Sequence, residues 1–267
     1  MPTTLVTNRH QLRQRLVRFF EVRTLAERRN LSDEVLPFFG KLGDAVIIGG
    51  MPRDIAMRGF RGFRSDVDLV LRPNDYPRYV DAVIALGAVR NRFGGYGLRL
   101  AGWNVDVWAL EDTWARQANH RRVDRFEDLL ECTFFDSDAV LYAVSTRKVI
   151  ARPGYLERLN KGVLGINLEA NPNQKGSAVR AIRRAINWNF RLSARLATYV
   201  DGVIGVHGWR DLVRLDADAF DRPLLWDLDE SEIRERLANH VRLDGEWVTK
   251  PLAGPPTQLT MESKLET

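Results

Sequence analysis

Of the 267 residues, one is cysteine (Cys132) and four are histidine. A lone thiol excludes an intrachain disulfide, and so few Cys and His leave no spacing that reads as a zinc site. No apolar run approaches the ~20 residues that a membrane-spanning helix requires. The opening MPTTLVTNRHQLRQRL lacks the hydrophobic core of a secretory leader. These shortages point away from the membrane and toward a reducing, cytoplasmic setting. Acidic residues are also in deficit, with 35 Asp and Glu against 40 Lys and Arg, a net charge of +5. That balance favours an acidic partner, and a nucleic acid or a triphosphate would satisfy it equally. Internal repeats are absent. A hydrophobic content of 45% is ordinary for a globular chain and is enough core for one large or two modest domains.

What is present gathers around VIIGGMPRDIAMRGFRGFRSDVDLVL, Val46 to Leu71. Val46, Ile47 and Ile48 read as a short buried strand, which the chain leaves through Gly49 and Gly50. Pro52 suits the first turn of a helix, where its missing N–H has no partner to lose. That helix spans Arg53 to Met57 and ends near Gly59. A basic loop with Gly62 and Arg64 follows, and then a second strand from Ser65 to Leu71. On a strand, residues two apart share a face, so Asp66 and Asp68 point one way while Val67 and Leu69 point the other.

Two carboxylates so placed repel each other, and a cation between them relieves the strain. An oxygen-only donor set suits Mg²⁺ or Mn²⁺ rather than Zn²⁺. A third carboxylate, Asp106, lies in Gly102-Trp103-Asn104-Val105-Asp106-Val107-Trp108, again a strand pattern. Three carboxylates on adjacent strands can hold two metal ions roughly 4 Å apart for in-line displacement at phosphorus. Gly49 and Gly50, with a helix N-terminus behind them, offer N–H groups to phosphate oxygens, and Arg53 adds positive charge. Singly, each piece has a bland reading, because Asp-x-Asp is common on solvated strand faces and Gly-Gly is common in turns.

Taken together, the constellation resembles the head domain of class II CCA-adding enzymes and bacterial poly(A) polymerases, in the DNA-polymerase-β nucleotidyltransferase superfamily. Gly49-Gly50-Met51-Pro52-Arg53-Asp54, then Asp66-x-Asp68, matches the family signature, with Asp106 in the place of the third carboxylate. The resemblance implies an α+β fold in which a nucleotidyltransferase head, a small mixed sheet with helices, precedes a helical neck. Together with the helical periodicity before it and the proline-containing polar end after it, this sets the boundaries at 1–40 for an N-terminal helical segment, 41–168 for the head, 169–250 for the neck and 251–267 for a flexible tail. A second family block is matched at Phe135, Ala139, Pro153, Leu156, Leu159 and Lys161-Gly162-Val163-Leu164. Cys132, Thr133 and Phe134 depart from it, standing where the family has Arg, Arg and Asp. Asp138 stands where the family has Asn, and reads either as a sugar contact or as a local cap.

In chain order, residues 8–30 read as an amphipathic helix with Leu12, Leu16, Phe19, Phe20 and Leu25 near one face, capped by Thr7 or Asn8. Its arginines read as a solvated face in preference to a nucleic-acid surface. A helix over Ser32–Leu42 follows. After the Asp66 strand come a helix over Asp75–Leu86, a hairpin of strands at 88–93 and 97–101, and a polar stretch over Trp114–Arg125 holding Arg121 and Arg122. Residues 176–200 read as one helix by the spacing of Val179, Ile182, Ile186 and Phe190. No acid occurs between Glu169 and Asp201, so Lys175, Arg180, Arg183, Arg184, Arg191 and Arg195 form an unbalanced basic stretch. Arg180 and Arg183 fall on the family's nucleotide-contacting Arg-x-x-Arg pair; as plain helix residues they would be packed or solvated. Gly176 and Ser177 replace the family's Glu-Asp pair. Segments 209–215 and 229–240 read as helices, with Trp209, Leu212, Leu224, Leu225 and Trp226 closing a core.

These readings imply an enzyme that uses two Mg²⁺ or Mn²⁺ ions to transfer a nucleotide from a nucleoside triphosphate to a hydroxyl. The acceptor they favour is the 3′ end of a tRNA or other oligonucleotide. An oligonucleotide-synthesising or tRNA- or protein-modifying enzyme of a toxin or antiphage system, acting with a partner protein, is the alternative. A non-catalytic nucleotide- or RNA-binding module is the third reading. The family's long body and tail have no counterpart in the matched stretch, roughly 40–200, so complete CCA addition is not expected.

Overall fold

The structure, a computed structural model, describes residues 5–21, 26–59, 63, 66–91 and 93–252, with backbone alone for 26 and 27. Gly62, Arg64, Leu25 and most of the predicted tail lie outside this set. The chain divides into two compact units. One runs up to Lys161 and takes in Ile166–Asn171; the other comprises Gly162–Gly165 and the chain from Pro172 onward. Among the described residues no helix is long and apolar enough to cross a membrane.

The first unit is built on a seven-stranded sheet in the order β3-β4-β5-β2-β1-β6-β7. Its strands are β1 (Gly43–Ile48), β2 (Val67–Pro73), β3 (Val89–Arg90), β4 (Tyr96–Leu100), β5 (Trp103–Ala109), β6 (Val140–Ala143) and β7 (Lys148–Ala151). β2 and β5 are parallel, and the other neighbours run antiparallel. The sheet is therefore mixed, as the order of elements predicts. Helices α1 (Arg9–Glu21), α2 (Ala26–Asn30), α3 (Leu36–Gly40), α4 (Gly50–Arg58), α5 (Tyr76–Ala85), α6 (Trp114–Gln117) and α7 (Tyr155–Asn160) complete the unit.

Alternation sorts the strand side chains into two faces. Ile47, Leu69 and Leu71 are fully buried, as are Leu12, Leu16 and Phe19 of α1, Met51 and Ile55 of α4 and Tyr79 of α5. Side chains of this size contribute about 2 kcal/mol each when fully buried. Val46, Val70 and Leu141 point to the opposite face, where they cluster with Leu110, Val123, Leu129 and Leu130. Asp66, Asp68 and Asp106 share the parity of Val70, so the carboxylates belong to this second face.

Arg9, Arg13 and Arg18 of α1 are exposed, as a solvated face predicts, and three of the helix's arginines also bind backbone carbonyls. Arg9 Nη2 donates to Ala151 O (2.6 Å) and Arg13 Nε to Arg147 O (2.8 Å), covering the edge strand β7 and the turn before it. Arg15 Nη1 donates to Ala56 O (3.2 Å), satisfying a carbonyl in the last turn of α4. Asn8 caps α1 by accepting from Gln11 N at 3.0 Å. The helix expected over Ser32–Leu42 begins instead as a wide turn, Leu31–Val35, bonded i to i+5, before α3. Pro37 supplies the reason, since it has no N–H for the ordinary i to i−4 bond and the ladder widens just ahead of it.

The second unit holds α8 (Gln174–Trp188), α9 (Ala194–His207), α10 (Trp209–Ala219) and α11 (Glu230–Ala238). It also holds two small sheets, β8 (Val163–Leu164) parallel to β9 (Arg191–Leu192), and β10 (His240–Leu243) antiparallel to β11 (Glu246–Thr249). The single helix predicted over 176–200 is two helices. Asn189 takes the left-handed conformation (φ 55) that ends α8, and the Ser193 side chain accepts from Leu196 N at 3.3 Å to start α9. The β10–β11 hairpin turns on Asp244 (φ 48) and Gly245 (φ 86), an Asp-Gly pair of the type that two-residue turns require. Leu212 and Leu225 are fully buried, as expected, but Trp226 is 76% exposed and Trp209 and Leu224 are half-buried.

The basic stretch finds its acids on α10, beyond the window in which the sequence shows none. Lys175 pairs with Asp211 (3.6 Å), and Arg183 Nη1 with Asp216 Oδ1 (2.6 Å). Arg183 also donates to Arg222 O and lies 3.9 Å from the centre of the Phe220 ring. Asp216 is 0% exposed, and its other oxygen accepts from Leu224 N (2.6 Å) and Leu225 N (2.8 Å). Removing this carboxylate orphans two amides and takes the counter-charge from a guanidinium that keeps only Arg222 O and the Phe220 ring. Asp216→Ala is therefore expected to lower unfolding free energy by about 3 kcal/mol, read by chemical denaturation. The exposed neighbour Asp218→Ala should stay within about 0.5 kcal/mol of wild type. Equal effects of the two substitutions would remove Asp216 from its place at the centre of this unit.

Candidate active site

β1 ends at Ile48, and Gly49 turns the chain with φ 73 and ψ −110. α4 begins at once, with Gly50 as its first residue and Gly59 closing it through Gly59 N to Ile55 O (3.0 Å). Gly49 N donates to Val140 O (3.1 Å), pinning the turn to β6, and no side chain caps the helix start. The amides of this first turn are thus the ones that an anion could use.

Beside the turn stand the carboxylates. The parallel register of β2 and β5 sets Asp68 directly opposite Asp106. Asp66 precedes β2, is exposed, and accepts from Asn104 Nδ2 of β5 at 3.1 Å. On the other side of β5, Gly97 of β4 faces Asp106, and a Cβ there would lie 3.1 Å from its Oδ1. A side chain at Gly95 would overlap the Trp108 ring. Gly97 on β4 and Gly95 just before it therefore leave room for the carboxylate and for the ring two residues on.

Burial first, then the charges of Asp106, Asp138 and Asp66, push Asp68 up to about 7, against the pull of Arg53. Asp106 is raised by burial and by Asp66, with a hydrogen bond from Asn91 opposing. The donors are all oxygen, which suits Mg²⁺ or Mn²⁺ in kind, and like charges crowded around a half-buried carboxylate are the electrostatic setting that a cation relieves. Among the described residues, no group of three or more His, Cys, Asp or Glu side chains is placed to hold a metal ion, Asp66, Asp68 and Asp106 included.

Sequence reasoning did not foresee the partner of Arg53. Arg53 is 7% exposed. Its Nε donates to Asp54 Oδ1 (2.8 Å), and Nη1 forms a salt bridge with Asp138. Burial alone would lower the guanidinium, but Asp138 and Asp54 hold it above its ordinary value. Asp138 ends the short turn Asp136–Asp138 just before β6. Cys132, where the resembled family has Arg, donates to Asp128 O (3.4 Å), and burial pushes its thiol up to about 11.

Asp66, Asp68, Asp106, Gly49, Gly50 and Arg53 are thus all in the first unit. Arg180 and Arg183 are in the second, Arg180 exposed with Nε on Gly176 O (3.2 Å) and Arg183 bound to Asp216. No family model matches the chain, and no curated protein does. Among solved structures it is similar to a Thermotoga maritima CCA-adding enzyme complexed with tRNA, at 16% identity and TM-score 0.48, over 78% of this chain and 48% of that one. It is similar to a tRNA nucleotidyltransferase complexed with a primer tRNA and an incoming ATP analogue, at 20% identity and TM-score 0.44, over 64% and 51%. A tRNA-processing enzyme in an apo form matches at 18% identity and TM-score 0.48, over 73% and 61%. The chain spans about half the length of the first two. The chemistry of the site rests on the side chains themselves.

Two outcomes follow from the electrostatics and the turn. A carboxyl whose folded pKa is raised loses folding free energy as pH climbs from its unfolded value of about 4 through about 7. Asp68→Asn should accordingly melt a few degrees above wild type at pH 8, with the advantage gone near pH 4. A lower melting point at pH 8 contradicts the crowding. Gly49→Ala meets nothing nearer than Asp138 at 4.0 Å, so its cost is conformational, about 1–3 kcal/mol. Gly40→Ala, in open space at the end of α3, should be neutral or slightly stabilising in the same denaturation series.

Proposed function

We propose that the protein is a metal-dependent, template-independent nucleotidyltransferase that moves a nucleoside monophosphate from a nucleoside triphosphate to a hydroxyl acceptor. The observation that carries this reading is the parallel register placing Asp68 opposite Asp106, with Asp66 alongside and the Gly49–Gly50 turn opening α4 nearby. Asp66, Asp68 and Asp106 would hold divalent cations, which supply Lewis acidity at the acceptor oxygen and the α-phosphate and neutralise the leaving pyrophosphate.

The chain's own groups divide the remaining work. Gly49, Gly50 and the uncapped first turn of α4 receive phosphate oxygens, and Arg53 borders the same turn. Asp106, with its raised pKa, is suited to take the proton of the acceptor hydroxyl. As that oxygen bonds to the α-phosphorus, the bond from the α-phosphorus to the β-bridging oxygen breaks and pyrophosphate departs. Asp68 holds its place through the β2–β5 ladder rather than by a hydrogen bond from its own strand. Arg180 and Arg183 are further nucleotide contacts in this proposal; Arg180 is exposed and ready, whereas Arg183 reaches a nucleotide only by sharing its guanidinium with Asp216. The acceptor proposed is a nucleic-acid 3′ end, and tRNA is the first to try, because two of the similar structures carry it.

The test is transfer of label from each α-labelled NTP and dNTP to total tRNA or a single-stranded oligonucleotide, with Mg²⁺ or Mn²⁺. Wild type should label the 3′ end and lose activity in EDTA. Asp68→Asn and Asp106→Asn should each fall by at least about 10³-fold while remaining folded. Mg²⁺ should also raise the melting temperature of wild type and not of Asp68→Asn. Equal activity in the Asn variants sinks the reading.

A further inference from the structure

We infer that Asp138 sets nucleotide affinity at this site by holding Arg53 against the incoming phosphates. The inference rests on the nucleotidyltransferase reading and gives Asp138 a part at the phosphates in place of the sugar contact or local cap that the sequence suggests. Arg53 is the one buried arginine among the described residues, it projects from the first turns of α4, and its guanidinium is shared by two carboxylates. Asp54 is its chain neighbour and has no independent position. Asp138 comes from 85 residues further on, and its placement is built with care.

Three contacts fix the turn that carries it. Asp138 N donates to Phe135 O (3.2 Å), Arg158 of α7 forms a salt bridge with Asp136, and the buried Tyr155 hydroxyl donates to Ser137 O at 2.8 Å. The Gly49 turn runs along the same side chain, since a Cβ built at Gly49 would lie 4.0 Å from Asp138 Cβ and from its carbonyl oxygen. Asp138 therefore stands at the glycine turn with its carboxylate on Arg53, in the place where a phosphate would seek both the helix amides and the guanidinium. A triphosphate arriving there meets a cation whose charge is already balanced, and it must compete with a fixed carboxylate for the same donors. Replacing that carboxylate with an amide leaves the shape and an acceptor oxygen but removes one of the two charges that balance the guanidinium, Asp54 remaining.

The experiment is equilibrium binding of ATP and CTP by titration calorimetry, in EDTA and in saturating Mg²⁺, with transfer activity measured alongside. In EDTA, Asp138→Asn should bind about tenfold tighter than wild type, one unit of log affinity for a released ionic contact. In Mg²⁺ the ratio should shrink to less than about threefold, because bound cations then carry most of the phosphate charge. Arg53→Met should cost at least about fivefold more affinity in the Asp138→Asn background than in wild type, the coupling that a shared guanidinium demands. Asp138→Ser is the second variant and should move the same way. Identical EDTA affinities for wild type and Asp138→Asn overturn the inference, as does an Arg53→Met cost independent of background. Loss of the native fold in both Asp138 variants makes the residue a structural brace and overturns it too. A wild type that binds neither nucleotide with or without Mg²⁺ instead defeats the nucleotidyltransferase reading itself.

Discussion

The first unit is arranged around a repulsion. Asp68 and Asp106 are set opposite each other by backbone hydrogen bonds that neither side chain controls, and Asp66 and Asp138 add charge of the same sign. No packing advantage accrues to such a cluster, and hydrophobic residues at those positions would fold more easily. The sheet tolerates it because the apolar core beneath is large and continuous, with Val46, Val70 and Leu141 on the same face and Ile47, Leu69 and Leu71 on the other. Stability is generated in the middle of the sheet and given up at the end where the carboxylates stand.

Arginine does the opposite work throughout. Arg9, Arg13 and Arg15 bind backbone carbonyls and lay α1 over a strand edge and a helix end. Arg183 joins α8 to α10 through Asp216, and Arg158 steadies the turn that presents Asp138. Several guanidiniums thus hold the fold together while most stay exposed, Arg53 being the one buried arginine among the described residues. Arg180, on the exposed side of α8, is of the other kind.

What could be read in the chain beforehand was whatever obeys a local period. Asp66, Asp68 and Asp106 were legible because strand alternation puts them on one face and apolar neighbours on the other, and Gly49, Gly50 and Gly59 because glycine punctuates helices. The break at Asn189 was obscured because the apolar spacing from Val179 to Phe190 runs straight across it, even though Asn189 and Ser193 are good stop and start residues. The β10–β11 hairpin was missed although Asp244-Gly245 announces it. Asp138 and Asp216 were beyond reach for a different reason. Each has its meaning through an arginine far away in the chain, and a three-residue turn carries no periodicity that names its partner.

The parallel pairing of β2 with β5 has a bearing on how the chain reaches this state. Parallel neighbours cannot be joined by a tight turn, so the chain through α5 and the β3–β4 hairpin has to span the return from one strand to the other. The contact that brings the carboxylates together is thus a non-local closure, of the kind that slows folding. Charge repulsion opposes that same closure. Mild acid, by protonating the crowded carboxyls, would therefore act on that closure as well as on the finished cluster.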